Sequence, residues 1–211
     1  MVRSFFRSQR KAMTDRLRQQ LQVCSDLDSV LGCVLSRSLE LTGALIGNVQ
    51  MMDWNSGGYL TIAAQRGFDD QFLNFFARVR AEEGSACARA VRNRRWVIVE
   101  DVLSDEEFAP CREIALAAGF RAVQSTPLIS SSGAFFGVVS THFPARHRPL
   151  DAEMEAMKLV GELGANAIIR QRILARGLDA NEREAEQLKR SRDAIETSYR
   201  LLRRIGENPR L

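Results

Sequence analysis

The chain has 211 residues, 45% hydrophobic and 27% charged, which suits one globular domain of ordinary size with extensions. Its net charge of +4 is unevenly spread: residues 1–22 hold six Lys/Arg against one acid, residues 170–211 eleven against seven, and residues 23–169 thirteen against eighteen. An acidic middle between basic ends argues against nucleic acid as a partner, because a nucleic-acid-binding domain carries its basic patch on the fold itself. There is no signal-peptide core and no run of about 18 apolar residues, so no membrane insertion is expected and the cytoplasm is the expected location. The four cysteines, Cys24, Cys33, Cys87 and Cys111, show no CxxC and no close cysteine–histidine spacing, so no metal site is expected and the thiols are read as reduced.

In chain order, Met13, Leu17 and Leu21 form one stripe of a basic N-terminal helix within residues 1–22. A second helix is expected from about Asp26, with Leu27, Val30, Leu31, Val34, Leu35, Leu39 and Leu41 on a wide apolar face. Ala44 to Trp54 reads as a strand, Asn55-Ser56-Gly57-Gly58 as a turn, and Tyr59 to Ala64 as the returning strand. Asp69-Asp70 opens a helix carrying Phe72, Phe75, Phe76 and Val79. Gly84-Ser85 leads into a short helix, Ala86 to Arg94, and Trp96 to Val99 is a short strand. The next helix is expected to start near Asp105 and to end at Gly119.

Residues 119–143 then read as a hairpin, GFRAVQSTPL and AFFGVVSTHF around the turn ISSSG. Pro127 demotes its first arm to an edge or a bulge at that point. The polar residues Gln124, Ser125, Ser140, Thr141 and His142 imply either a polar network or a polar cavity. A final helix begins at Leu150 and runs about 55 residues, roughly 80 Å at 1.5 Å per residue. From Leu178 it carries a 3,4 repeat (Leu178, Asn181, Ala185, Leu188, Arg192, Ile195, Tyr199, Leu202), the seam of a parallel dimeric coiled coil, with Gly177 as a possible break.

This order of elements, with LTGALIGNVQMMD, GSACARAV, AGFRAVQSTPL and GAFFGVVSTHF, resembles the GAF domain family over about residues 23–170. The wording VQSTPL and STHF looks most like the GAF domains of proteobacterial sensory histidine kinases. The resemblance implies a GAF/PAS-like α+β fold: a central antiparallel sheet of five to six strands flanked by helices, with a long C-terminal helix. It divides the chain into a basic N-terminal helix (1–22), a GAF domain (23–170) and a C-terminal signalling or coiled-coil helix (171–211). It implies a sensor that binds a small molecule, of a kind the sequence leaves unknown, and signals through dimeric terminal helices. The expected partners are a second copy of the chain, through the N- and C-terminal helices, and a separate histidine kinase or other output protein. No catalytic kinase, cyclase or DNA-binding segment is read after the helix.

Similarity to phytochrome GAF domains around the same hairpin puts Ser125 and His142 on pocket positions. There Val123 replaces a pocket serine and Cys111 a pocket histidine. Pro110 stands where one phytochrome class carries its bilin-bearing cysteine, which argues against a covalent bilin. Alternation places Val123, Ser125, Ser140 and His142 on one wall, and Ile114, three residues after Cys111, joins it from the overlying helix. The ligand-binding expectation is therefore Cys111, Ile114, Val123, Ser125, Ser140 and His142, with no catalytic residue and no metal.

Two alternatives stand beside it. The first is a GAF-fold dimerisation or adaptor module whose pocket is filled by Phe108, Phe120, Phe135 and Phe136. The second is a free methionine sulfoxide reductase, a GAF enzyme whose cysteine spacing Cys87 and Cys111 resemble. That enzyme's substrate-binding carboxylates are absent here, since the matching positions are Val123, Ser140 and His142. The Asn-Lys…Phe…Asp-Glu signature of cyclic-nucleotide-binding GAF domains is not reproduced.

Overall fold

The computed structural model describes residues 15–54 and 57–206; Met13, Asn55 and Ser56 lie outside them. Helix α1, seen over residues 15–23, buries Leu17 and Leu21 on one stripe. Helix α2 (Leu27–Thr42) starts where Asp26 caps it. The Asp26 carboxylate accepts the Ser29 N–H at 2.7 Å, and the Ser29 hydroxyl accepts the Asp26 N–H at 3.3 Å. Gly43, at φ 70°, ends the helix in the left-handed conformation that a Cβ disfavours. Its face of Val30, Leu31, Val34, Leu35 and Leu39 is buried.

Five antiparallel strands follow the expected order of elements: β1 (Ile46–Asp53), β2 (Tyr59–Arg66), β3 (Val97–Val99), β4 (Ala122–Ile129) and β5 (Phe135–Phe143). They lie in the sheet order β2-β1-β5-β4-β3, so the 119–143 hairpin forms its centre and far side. One face is covered by α1, α2 and the first part of α6 (Asp151–Gly206), through an aliphatic core that includes Leu31, Val34, Val49, Leu128, Met157 and Ile168. The other face is covered by α3 (Asp70–Phe75), α4 (Ala86–Asn93), α5 (Arg112–Ala117) and their connections, through an aromatic core.

Pro127 sits in an interior strand, yet β3 pairs with β4 only from Val123 to Ser125, so at Pro127 the outer side of β4 is a sheet edge. The missing N–H costs no ladder bond there.

Two helices differ from expectation. The helix from Asp70 stops at Phe75, and Val79 instead exchanges backbone hydrogen bonds with Leu60 (2.8 and 3.0 Å), extending the sheet edge by an isolated bridge. The helix expected near Asp105 begins only at Arg112. The Asp101 and Asp105 carboxylates accept the N–H groups of Leu103 and Phe108, each at 3.0 Å, and so hold turns where a helix would form. A 3-10 turn, Ala109–Cys111, carries Pro110 into α5.

The chain divides into two compact units, residues 1–169 and 170–211. In the second, α6 passes through Gly177 without interruption. On its seam Leu178 and Leu188 are exposed, while the side chains of Asn181, Ala185, Ile195, Tyr199 and Leu202 lie outside the described set.

Candidate functional site

Strand alternation sends Asn48 and Gln50 of β1, Ser140 and His142 of β5, and Val123 and Ser125 of β4 to the face away from α2. Register then assembles them. Asn48 stands opposite Ser140 and Ser140 opposite Ser125, while Val123 stands opposite His142. The result is a polar row across the three middle strands. Directly opposed side chains in such a row are about 5 Å apart at Cβ, and the Ser125 and Ser140 hydroxyls are hydrogen-bonded at 2.8 Å.

Above this row lies a cavity of about 20 Å³. Asn48, Gln50, Val123, Ser125 and Ser140 form its floor; Phe72 and Phe76, Ser85 to Cys87, and Phe108 form its roof. Ser85 has a second task, since its hydroxyl caps α4 by accepting the Ala88 N–H, and it also lies 3.3 Å from Cys87 Sγ. No charged side chain lines the cavity. Asn48 Oδ1 and Gln50 Nε2 are buried without a hydrogen-bond partner among the described residues. One acceptor and one donor are therefore left open beside three hydroxyls. A void of this size holds about one water molecule.

Of the residues expected from the sequence, Val123, Ser125 and Ser140 line the cavity, whereas Cys111, Ile114 and His142 do not. Cys111 and Ile114 pack into the same aromatic core. His142 is enclosed by rings: Phe120 at 4.6 Å and Phe68 at 4.9 Å between centroids, both edge-on. Burial pushes its pKa down to about 3, only partly opposed by a hydrogen bond with the Ile46 backbone, so the imidazole is neutral. Burial also raises the thiols, Cys87 to about 11 and Cys111 to about 12. Asn48, Gln50 and Ser85 were not foreseen. The signal for the first two is two polar residues spaced by two within the apolar run that precedes Asp53 in IGNVQMMD. Among the described residues no group of three or more His, Cys, Asp or Glu is placed to hold a metal ion, and no helix is long and apolar enough to cross a membrane.

A five-stranded antiparallel sheet with helices on both faces and a polar-floored cavity under short helices defines an α+β domain. The family model of the GAF domain matches residues 24–169, and the chain belongs to that family. A curated relative, a methyl sulfide methyltransferase-associated sensor of Methanosarcina acetivorans, is 24% identical over 155 residues. The match takes in 73% of this chain and 15% of that protein, so this chain spans a small part of the relative's length. Among solved structures, the GAF domain of an Acinetobacter phosphoenolpyruvate-protein phosphotransferase aligns with a TM-score of 0.65 at 11% identity, over 80% of this chain and 98% of that one. The free methionine-R-sulfoxide reductase of Neisseria meningitidis, solved with its substrate, also reaches 0.65, at 16% identity over 78% and 91% of the two chains. At these identities the likeness is one of fold.

Proposed function

We propose that this chain is a cytoplasmic sensory GAF domain that binds a small, uncharged, hydrogen-bonding molecule in the cavity under α3 and α4. The observation that carries this is the pair of unpartnered buried groups, Asn48 Oδ1 and Gln50 Nε2, facing a cavity with no charged lining. A buried polar group left unsatisfied costs about 1–3 kcal/mol, so a ligand that accepts from one and donates to the other gains on binding what the empty site lacks. Phe72, Phe76 and Phe108 bound the cavity opposite the polar row, and a ligand larger than one water enters only if they move. Their displacement is the input in this reading, and the terminal helices, through a homodimer and toward a histidine kinase or other output protein, are the output. Exposed Leu178 and Leu188 on the α6 seam support the dimer.

The test is a thermal-shift screen of freshly purified protein against neutral amides, alcohols and nucleobases, with native mass spectrometry for retained ligand and oligomeric state. Binding of at least one compound, weakened tenfold or more in Gln50→Leu, is expected. A screen in which no neutral compound shifts the melting temperature would sink the ligand-sensing reading.

The smallness of the cavity favours a second reading, a dimerisation or adaptor module whose pocket is closed by Phe108 and its neighbours; a dimer by mass with no binder would support it. The reductase reading finds little support. Both cysteines are buried with raised pKa values, the opposite of a reactive thiolate, and the cavity offers no carboxylate for a substrate ammonium.

A further inference from the structure

A groove of about 400 Å³ opens at the β3 end of the other sheet face, on the side where the first part of α6 packs. Its existence follows from strand length. Because β3 ends its pairing at Ser125, nothing continues the sheet beside Thr126 and Pro127, and α6 leaves the corner between them uncovered. Arg94 turns the chain there at φ 50° and is itself engaged, its Nη2 donating to the Gly133 carbonyl at 3.0 Å. The next two residues, Arg95 and Trp96, reach the groove, as do Lys158 and Glu162 from α6.

The charge balance of the lining is positive. The nearby Arg89 and Arg92 are neutralised by Asp105 and Glu107, but Arg95 and Lys158 have no carboxylate partner among the described residues. Trp96, 38% exposed, supplies a flat aromatic wall, and Pro127 and Ile129 an apolar one. Thr126 lies on the wall, 2% exposed, with its hydroxyl unpartnered. Without ion-pair partners among the described residues, Arg95 and Lys158 outweigh the one lining carboxylate, Glu162. Beside an indole they match an anion attached to a planar apolar body, the anion meeting Arg95 and Lys158 and the ring resting on Trp96. An added peptide strand fits less well, because Pro127 has no N–H to offer along this edge.

We propose that this groove is a second binding site, separate from the central cavity, for a small aromatic anion bearing a carboxylate or a phosphate. Such a ligand ties Lys158 of α6 to the β3 edge of the sheet, so it acts on the helix from the side opposite the central cavity.

The chain has two tryptophans, and Trp54 is exposed, so Trp54→Phe leaves Trp96 as the sole tryptophan, excited selectively above the tyrosine band. This variant is titrated with benzoate, phenyl phosphate and neutral benzamide. The expected result is a saturable change in Trp96 emission with benzoate or phenyl phosphate, the stronger of the two naming the anionic group, and at least tenfold weaker binding of benzamide. Adding Arg95→Gln or Lys158→Gln should weaken anion binding tenfold or more, while adding Gln50→Leu in the central cavity should leave it unchanged. Equal responses to benzamide and the anions, a response that never saturates, or indifference to both cation substitutions would overturn the proposal.

Discussion

The two faces of the sheet bury similar amounts of unresolved polarity by different means. Asn48, Gln50 and His142 on one face, and Gln124, Thr126 and Thr141 on the other, each carry a buried polar atom without a partner among the described residues. The α2/α6 face is aliphatic and interlocked. A Cβ on Gly161 would come within 2.5 Å of the Pro127 carbonyl oxygen, and one on Gly164 within 2.7 Å of Val34 Cγ2. The cavity face holds six buried phenylalanines, Phe68, Phe72, Phe76, Phe108, Phe120 and Phe135. It is covered by helices of six (α3), eight (α4) and six (α5) residues, all too short to persist without tertiary contacts. Long helices with backbone-to-backbone approach fix a shape, whereas rings under short helices leave a face that can rearrange. The contrast sets an aromatic face under short helices against a helix face locked by close backbone approach.

The largest expected effect tests how far the cavity face adapts. Phe108 is 2% exposed and forms part of the roof, so Phe108→Ala should cost about 3–5 kcal/mol, transfer and cavity terms together. Urea unfolding measures it. A loss near 1 kcal/mol would mean that the face collapses onto the gap, and the contrast would sharpen; a loss at the top of the range would mean that the aromatic side is as rigid as the helix side.

The fold was legible wherever a local residue dictates the chain's direction. Asp26 and Gly43 bound α2, Gly57 and Gly58 turn between β1 and β2 at φ 98° and 76°, and Ser85 opens α4. The hairpin around Ser130 to Gly133 is of the same kind. Where a side chain competes with the helix for backbone donors, as Asp101 and Asp105 do, propensity pointed the wrong way. Val79 was misplaced because its partner, Leu60, lies on β2, outside the reach of a local helical pattern. The site was half legible. Val123, Ser125 and Ser140 stand out as polar or exceptional positions in a recognisable hairpin. Asn48 and Gln50 are marked only by their spacing of two, because β1 is buried on both faces and lacks the exposed positions that mark an orientation. The enclosure of His142 needs Phe68, Phe72 and Phe120 from separate segments, which no local pattern announces.

The interlock of the helix face is tested next, using two glycines of one helix. Gly161→Val places a branched side chain against the Pro127 backbone, which cannot rotate away, and should cost about 3 kcal/mol by overpacking. At Gly177 an added Cβ meets nothing within 4 Å, so Gly177→Ala should stabilise the helix by up to about 1 kcal/mol. Thermal unfolding followed by circular dichroism reads both. Like signs at the two positions would show that α6 does not press on the sheet at Gly161.

A smaller effect than the Gly161 clash concerns protons, and it separates the faces chemically. His142 has a pKa of about 3 in the folded chain against 6.5 in an exposed histidine. The unfolded chain therefore binds the extra proton over this interval and the folded chain does not. Stability owed to keeping the ring neutral is complete above pH 6.5 and is lost as the pH falls toward 3. Between pH 7 and pH 5 the loss should be about 2 kcal/mol. Asp101, whose carboxyl is held below its ordinary value first by hydrogen bonds from Arg121 and then by the Leu103 N–H, adds a loss of the same sign only at more acidic pH. Urea midpoints across pH 5–7 should thus fall in the parent chain and in a His147→Gln control, and stay nearly level in His142→Gln. An unchanged slope in His142→Gln would mean that the aromatic face lets water reach the imidazole, and its dryness would no longer distinguish it from the helix face.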